Sequence, residues 1–512
     1  MNLRLGIIMK NKTTLINTIS TFVLQLFIIF NGFIIPKIIL LHFGSDVNGL
    51  VASITQFLSY IAIVEGGITG VITASLYRPL VEEDNQKISS ILKTAERFYK
   101  RIGVIFVIYS VAVAVMYPLF FNNSFSFVYI FTLTLVLSIN LLIQYMYSLT
   151  LKTLLIADKK VYIVSITQII MIICNIVLVI FSVKVFPNIH VLKFISGSLF
   201  LLQPFVYSKY VKNNYIIDKN ALVDNKLISN RWNGFAINIA AFIHFSTDIT
   251  ILTIFTNLST VSIYSVYSLV TSGLRSIINS ISSGINPTIG QLFAKGNERE
   301  LNHKFELYEY IIFLLVFISF SIAGLLIVPF VMIYTNGVND TDYYQPFFAI
   351  LLLISEGLYL LKNPHLNLAY AANRFKDNTV PAFFEAALNI IISVLLVKKY
   401  GLIGIAIGTL VGMLFRMIFQ VAYTKRIVKT YSLWSFYKKF IIFSVATLFI
   451  IITCYLFVIP TKYTISSWII HGIVYFLLNI IVYLVVSIVF YKKELIFLKK
   501  YIRVRQRGKG VY

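Results

Sequence analysis

The stretch IIFLLVFISFSIAGLLIVPFVMIY, from Ile311 to Tyr334, contains no charged side chain. A helix that crosses the hydrocarbon core of a bilayer requires about 20 consecutive apolar residues, and this stretch is long enough. Similar stretches recur along the 512 residues, of which 58% are hydrophobic and 12% charged. A soluble protein of this size would need more charge to cover its surface. The sequence therefore predicts an all-α polytopic membrane protein, because isolated helices satisfy their backbone groups in lipid.

We predict about 14 transmembrane helices, and their bounds follow from the apolar segments between polar loops. The predicted spans are Leu15–Leu41, Gly49–Leu76, Ile102–Phe120, Phe127–Leu155, Val161–Phe181, Val191–Tyr210, Gly234–Phe255, Ile263–Ile289, Ile311–Tyr334, Pro346–Tyr370, Pro381–Val397, Gly401–Tyr423, Phe440–Val458 and Ser467–Phe490.

The net charge of +24 is distributed unevenly between the two predicted faces of the membrane. Most of the 44 Lys and Arg lie in the termini and in loops that follow even-numbered spans. The opposite face holds Lys37, Lys184, Lys193, Lys398, Lys399 and Lys462. This asymmetry follows the positive-inside rule, so we expect both termini in the cytoplasm and attribute the charge to orientation, not to a nucleic acid partner. The basic tail, residues 492–512, is expected to lie on anionic membrane lipids.

The first and second halves of the chain match at an offset of about 214 residues. The matching pairs are Val47 with Val261, Gly70 with Gly284, Asn175 with Asn389, and Lys212 with Arg426. Because six spans separate the copies, the halves have the same orientation, which is a parallel repeat of the kind found in transporters. We therefore predict two six-helix lobes, residues 1–215 and 216–430, followed by two extra transmembrane helices and the tail in residues 431–512.

The eighth span carries one polar stripe along an otherwise apolar helix. Its members recur at intervals of three or four residues and comprise Ser268, Thr271, Arg275, Asn279 and Ser282. A charge in the membrane requires a hydrated cavity or a partner. The stripe favours a substrate-binding cavity in which Arg275 holds a phosphate through paired hydrogen bonds. A structural ion pair inside the helical bundle is the alternative.

Carboxylates in the second and seventh spans are candidates for ion coupling. At the 214-residue offset, Glu65 corresponds to Asn279, so it is predicted either to carry a proton or sodium ion or to pair with Arg275. His244 and Asp248 stand four residues apart on one helix face and could carry protons, or else form a satisfied polar cluster. Coupling to a proton or sodium gradient is thus a candidate source of energy.

The remaining charges within the spans favour structural roles. Glu356 and Arg416 are expected to pair with each other, and Glu385 is expected to reach the cytoplasmic interface. Cys174 and Cys454 lie in apolar spans and indicate neither a disulfide nor a metal site. The chain carries no phosphate-binding loop motif and no nucleophile–base arrangement in its cytoplasmic loops. We therefore predict a protein that is not an enzyme and that has no bound cofactor.

Several motifs resemble one known family. Residues 43–50, FGSDVNGL, followed by residues 56–58, QFL, resemble the first-loop signature of bacterial polysaccharide flippases of the multidrug/oligosaccharidyl-lipid/polysaccharide superfamily. Residues 65–68, EGGI, are similar to the second helix of these proteins, and residues 388–409 resemble their eleventh and twelfth helices. Asp248 stands where such proteins often carry an acidic residue.

The resemblance implies a flippase that works by alternating access, with its first, second, seventh and eighth helices around a central cavity. The implied cargo is an undecaprenyl-diphosphate-linked oligosaccharide, moved across the bacterial cytoplasmic (inner) membrane for O-antigen, capsule or exopolysaccharide assembly. Lipopolysaccharide synthesis is one such pathway, and a polysaccharide polymerase and glycosyltransferases are the expected partners. The alternatives are a cation-coupled multidrug extruder of the same superfamily, a peptidoglycan-precursor flippase, whose cavity is expected to be richer in arginine, and a membrane glycan polymerase. A polymerase normally has a large extracellular loop, whereas the outer loops predicted here are short.

Overall fold

The computed structural model describes residues 2–65, 67–121, 124–218, 220–224, 242, 246–457 and 464–497, with side chains from Thr13 onward. The described residues form seventeen helices that we label in chain order. They are α1 (Asn2–Ser59), α2 (Ala62–Glu65), α3 (Ile68–Glu82), α4 (Asn85–Phe120), α5 (Phe127–Ile143), α6 (Leu149–Ala157), α7 (Val161–Val185), α8 (Ile189–Leu199), α9 (Leu202–Asn214), α10 (Ser246–Phe255), α11 (Leu258–Ala294), α12 (Glu298–Tyr334), α13 (Pro346–Ala371), α14 (Phe375–Tyr400), α15 (Leu402–Ile427), α16 (Leu433–Phe457) and α17 (Ile465–Phe490). A short π-helical segment, Gln144–Ser148, joins α5 to α6.

The predicted all-α polytopic fold class is confirmed, since the described part of the chain contains helices and connections without a strand. Within it, 11 segments are long and apolar enough to cross a membrane. Three features account for the difference from the predicted number. The first span and the start of the second lie in one continuous segment, and most of the seventh span falls outside the described residues. The eighth span is a long helix, α11, whose recurrent Ser, Thr and Asn lower its hydropathy.

The second span, predicted as one helix over Gly49–Leu76, is broken. A left-handed backbone at Gly44 (φ 83°) separates the first span from the second, and a further turn interrupts the helix after Ser59. Gly67 (φ 79°) precedes the first residue of α3 and again has the left-handed conformation that favours glycine. The corresponding helix α11 is continuous, and the residue 214 positions after Gly67 is Ile281. The two predicted copies therefore differ in structure where the first has glycine.

The described chain separates into two compact units, Met1–Ser265 and Val266–Tyr512. In the first unit, the core joins α1, α4 and α6 through side chains such as Ile54, Tyr99 and Leu154, which are fully buried. In the second unit, an aromatic core joins α12 to α16 and includes Phe313 and Phe443, whose ring centroids are 5.7 Å apart. Large apolar side chains on the outer faces of α16 and α17 are exposed, as lipid contact requires.

Polar residues fix the ends of several helices. Asp84 accepts a hydrogen bond from the Lys87 amide at the start of α4, at 2.9 Å, and Asn297 accepts one from the Glu300 amide at the start of α12, at 3.2 Å. Side-chain acceptors at this position satisfy amides that have no partner within the helix. Each of these caps lies at a connection that precedes a long apolar segment.

Candidate functional site

The polar stripe of α11 faces α13 within the second unit. Asn279 Oδ1 accepts a hydrogen bond from Asn363 Nδ2 at 3.1 Å, and Asn286 Oδ1 accepts one from Asn367 Nδ2, also at 3.1 Å. Tyr308 from α12 donates to the same Asn286 oxygen at 3.1 Å. These hydrogen bonds form a seam between α11 and α13. Asn279 lies on the face of α11 that also carries Arg275, as helical periodicity predicts.

Arg275 occupies the next position along this seam, one turn before Asn279. Its Nη1 lies 2.5 Å from Glu356 Oε1 on α13, so the two side chains form an ion pair. The pair is only partly enclosed, because 23% of the Arg275 side chain and 14% of the Glu356 side chain remain exposed. The pairing of Arg275 inside the bundle agrees with the structural alternative, and its role in binding a ligand stays a prediction.

The other two predicted cavity residues, Thr271 and Ser268, lie one and two turns before Arg275 in α11. Thr271 is buried, and its hydroxyl lies 3.4 Å from the carbonyl oxygen of Ser268 one turn earlier. The Ser268 hydroxyl is buried without a hydrogen-bond partner among the described residues. Neither side chain therefore presents an open surface in this conformation, and a binding role for them stays a prediction.

A second group of charges is buried behind Glu356. The Glu385 carboxylate on α14 lies 3.6 Å from Lys362 Nζ and 3.4 Å from Arg416 Nε, and all three side chains are 5% exposed or less. The prediction that Glu356 pairs with Arg416 is wrong, because each has a different partner. The expectation that Glu385 reaches the interface is also wrong. Neighbouring helices enclose it, and burial of two cations favours a carboxylate between them.

A third group ties α16 to α12 and α13. Glu309 accepts hydrogen bonds from Lys439 Nζ at 2.7 Å and from the Tyr431 hydroxyl at 2.6 Å, and His365 Nε2 lies 3.5 Å from the same carboxylate. All four side chains are buried. Burial and then the Glu309 carboxylate raise the pKa of Tyr431, which keeps its hydroxyl protonated as a donor. This group anchors the additional helix pair to the preceding helices.

Glu65 lies in the first unit at the break in the second span. Its carboxylate accepts hydrogen bonds from Thr69, in the first turn of α3, and from the Tyr145 hydroxyl at 3.2 Å. Tyr145 belongs to the π-helical segment, a distortion that often marks functional sites. The Lys152 ammonium on α6 is within electrostatic reach of Glu65. A carboxylate, two hydroxyls and a nearby cation thus meet where two helices are distorted.

Asp248 lies on the other side of the same break. Its carboxylate accepts a hydrogen bond from the Tyr264 hydroxyl at 2.9 Å, and 5% of the residue is exposed. Tyr60, at the start of the break, donates to the Ser246 carbonyl oxygen at 3.2 Å and lies 2.8 Å from the Thr250 hydroxyl. The helix of Asp248 therefore packs directly on the interrupted part of the second span. His244 lies outside the described residues.

Sequence reasoning did not identify Lys152, Lys362, Glu309, His365 or Lys439 as members of polar groups. Each lies at or toward the predicted cytoplasmic end of its span, where long side chains commonly reach water. The sequence does carry one signal for these groups, which is the presence of both lysines and carboxylates in its apolar segments. Such charges cannot be enclosed unless they neutralise one another.

No protein-family model matches the chain, and no curated protein sequence matches it. Solved structures do match. A structure described as "Lipid II flippase MurJ, inward closed conformation" is 16% identical and superposes with a TM-score of 0.68, covering 94% of this chain and 99% of that chain.

Multidrug transporters share the same fold. An inward-facing multidrug resistance MATE family transporter of the MOP superfamily is 13% identical, with a TM-score of 0.62 over 81% of this chain and 100% of that chain. The MATE multidrug transporter DinF-BH in complex with R6G is 15% identical, with a TM-score of 0.60 over 81% of this chain and 94% of that chain. At these identities the matches establish that the chain has the fold of this group.

Proposed function

We propose that this protein is a transporter that moves undecaprenyl-diphosphate-linked oligosaccharide across the cytoplasmic membrane for surface polysaccharide assembly. In this proposal the diphosphate contacts Arg275, the lipid tail stays in the bilayer and the sugars occupy a hydrated cavity. The two lobes move so that the cavity opens alternately to each side of the membrane. The sequence resemblance to polysaccharide flippases supports the cargo, and the fold shared with a lipid II flippase supports transport of a lipid-linked molecule.

The observation that carries the proposal is the charge balance around Arg275. Arg275, Lys362 and Arg416 are accompanied in the second unit by two carboxylates, Glu356 and Glu385. This local group therefore has one more cation than carboxylates, and its most exposed member is Arg275. A guanidinium group binds phosphate oxygens through two parallel hydrogen bonds, which suits a diphosphate.

The same charge balance argues against a multidrug extruder, although that fold is shared. An extruder of cationic drugs requires acidic and aromatic side chains around its ligand. Near Arg275 an organic cation would meet a local excess of positive charge, and like charges in a medium of low dielectric constant repel strongly. A neutral or anionic cargo suits this group better.

An energy source is proposed at the broken second span. Glu65 and Asp248 lie on opposite sides of the interruption, and discontinuous helices in transporters commonly hold coupling ions. Protonation or sodium binding at Glu65 would weaken its attraction to Lys152. We propose that this change accompanies movement of α2 and α3 during transport.

The proposal is tested by deleting the gene and analysing surface glycan and lipid-linked intermediates. We expect loss of the surface polymer and accumulation of diphosphate-linked oligosaccharide on the cytoplasmic leaflet, both reversed by the intact gene. Complementation with Arg275→Ala should fail at normal protein abundance, whereas Arg275→Lys should restore part of the export because it keeps the charge but not the planar fork. Unchanged glycan in the deletion strain, together with altered sensitivity to cationic drugs, would favour the extruder.

A further inference from the structure

Glu356 binds Arg275 through one carboxylate oxygen. Nη1 of Arg275 lies 2.5 Å from Oε1, while Oε2 is buried and has no hydrogen-bond partner in the described part of the chain. A guanidinium group paired permanently with a carboxylate commonly uses both oxygens. A buried acceptor left without a partner destabilises the arrangement that contains it. The pair is therefore weaker than the chemistry of its two groups permits.

A second cation lies near the Glu356 carboxylate without contacting it. The Lys362 ammonium on the same helix is within electrostatic reach of Glu356, and it also lies 4.8 Å from the centroid of the Tyr359 ring. Lys362 shares its closest carboxylate, Glu385, with Arg416. Glu356 could therefore move away from Arg275 and still remain near a cation, which reduces the cost of breaking the ion pair.

Arg275 is the member of this group that an arriving ligand can reach. Its side chain is 23% exposed, whereas those of Lys362 and Arg416 are 5% and 3% exposed. An anion that approaches the second unit thus meets a guanidinium group already occupied on one side by a carboxylate. Both anions require the same hydrogen-bond donors, so they exclude each other where their contacts overlap.

We propose that Glu356 is an internal competitor of the diphosphate group for Arg275. This inference rests on the proposed function and adds a role to a residue that does not itself touch the cargo. When the diphosphate binds, it replaces Glu356 on the guanidinium group, and Glu356 turns toward Lys362. When the diphosphate leaves, Glu356 returns and closes the site. The competition limits the affinity of the site, so that a cargo with two phosphates can be released.

The test is a binding titration of the purified full-length protein in detergent, with inorganic pyrophosphate as the probe. Glu356→Gln keeps the shape of the side chain and removes its charge. We expect the Kd for pyrophosphate to fall about tenfold to a hundredfold, the range that corresponds to hydrogen bonds with charged groups. Glu356→Asp, which keeps the charge but shortens the side chain, should give a smaller gain. Glu83→Gln, an exposed carboxylate in the first unit, is the matched control and should change nothing.

The same titration in the Arg275→Ala variant separates the competitor role of Glu356 from the proposed binding of diphosphate by Arg275. If Glu356 acts through Arg275, Glu356→Gln should not tighten binding when Arg275 is absent. Equal tightening in both backgrounds, or no tightening in either, would overturn the competitor role. If Arg275→Ala binds pyrophosphate as the unaltered protein does, the proposed function of Arg275 fails as well. Failure of both the unaltered protein and Glu356→Gln to bind would overturn both.

A second titration identifies the source of the diphosphate. A long-chain polyprenyl diphosphate in the same detergent replaces pyrophosphate, and the same variants are compared. Tighter binding of the lipid, with the same gain on Glu356→Gln, supports a lipid-linked cargo. Tighter binding of free pyrophosphate would keep the competition between anions but contradict the lipid-linked cargo.

Discussion

Asn48 donates a hydrogen bond to Ser262 over 2.8 Å, and the two residues are 214 positions apart in the chain. This separation equals the offset at which the two halves of the sequence are predicted to match. The hydrogen bond joins the helix after Gly44 to the start of α11, and both residues lie within the first unit. The duplication itself stays a prediction.

Gly49, the residue after Asn48, permits this close approach. A Cβ atom at Gly49 would lie 1.9 Å from the carbonyl oxygen of Leu258, and no flexible side chain could move aside to relieve the contact. We predict that Gly49→Ala lowers stability by about 1–3 kcal/mol, the usual cost of overpacking. The apparent melting temperature of the purified protein in detergent measures this. Gly70→Ala is the control, because nothing lies within 4 Å of its Cβ position; equal melting of the two variants would contradict the argument.

Two residues with positive φ also lie 214 positions apart, at the predicted cytoplasmic turns. Lys159 (φ 58°) and Asn373 (φ 57°) have left-handed backbones. Positive φ is uncommon for residues other than glycine, and neither side chain suggests such a conformation.

Helical periodicity and charge placement predicted the apolar segments and the face of α11 that carries Arg275. They did not predict the partner of Arg275. The sequence places Glu356 within a span, but it does not show whether Glu356 pairs with Arg275 or with Arg416. The same patterns predict one helix for the second span, because Glu65 and the glycines that follow it interrupt the helix without changing the hydropathy of the span. Partners of buried charges depend on contacts between distant helices, which local patterns do not contain.

Glu385 is predicted to be more important for stability than any exposed carboxylate. Glu385→Gln would leave Lys362 and Arg416 buried near each other without a neutralising charge. Removing one partner of a buried charge pair costs about 3–5 kcal/mol. Glu82→Gln, which breaks the exposed pair with Arg78, should leave stability nearly unchanged, because water screens exposed ion pairs. Thermal unfolding in detergent compares them, and a Glu385→Gln protein that melts within the range of the control would show that the cations are otherwise compensated.

The link between Glu309 and Lys439 is predicted to attach α16 to α12 within the second unit. Their charged atoms are 2.7 Å apart and both side chains are 2% exposed or less. Glu309→Gln and Lys439→Met should each destabilise the protein, and the double variant should lose less than the sum of the two. The expected interaction energy lies in the range of about 0.5–3 kcal/mol for residues in contact. Additive losses of stability would mean that His365 and Tyr431 compensate the charge of Glu309 without Lys439.

Glu65 and Asp248 are predicted to determine how transport responds to an ion gradient. Glu65→Gln removes the charge that faces Lys152 while an amide keeps hydrogen bonds to Thr69 and Tyr145, so the fold around the break should persist. We expect this variant to transport at a rate that no longer changes when a proton or sodium gradient is imposed on proteoliposomes. Asp248→Asn should weaken the response, because it removes the second carboxylate beside the break.

The matched control for the gradient experiment is Glu96→Gln, which alters an exposed pair with Lys100 on α4 and should respond as the unaltered protein does. The comparison is informative because all three variants remove one negative charge from the first unit. A gradient response preserved in both Glu65→Gln and Asp248→Asn would exclude the broken second span as the coupling site. The carboxylates of the second unit would then be the next to test, beginning with Glu356, because its pair with Arg275 is partly exposed.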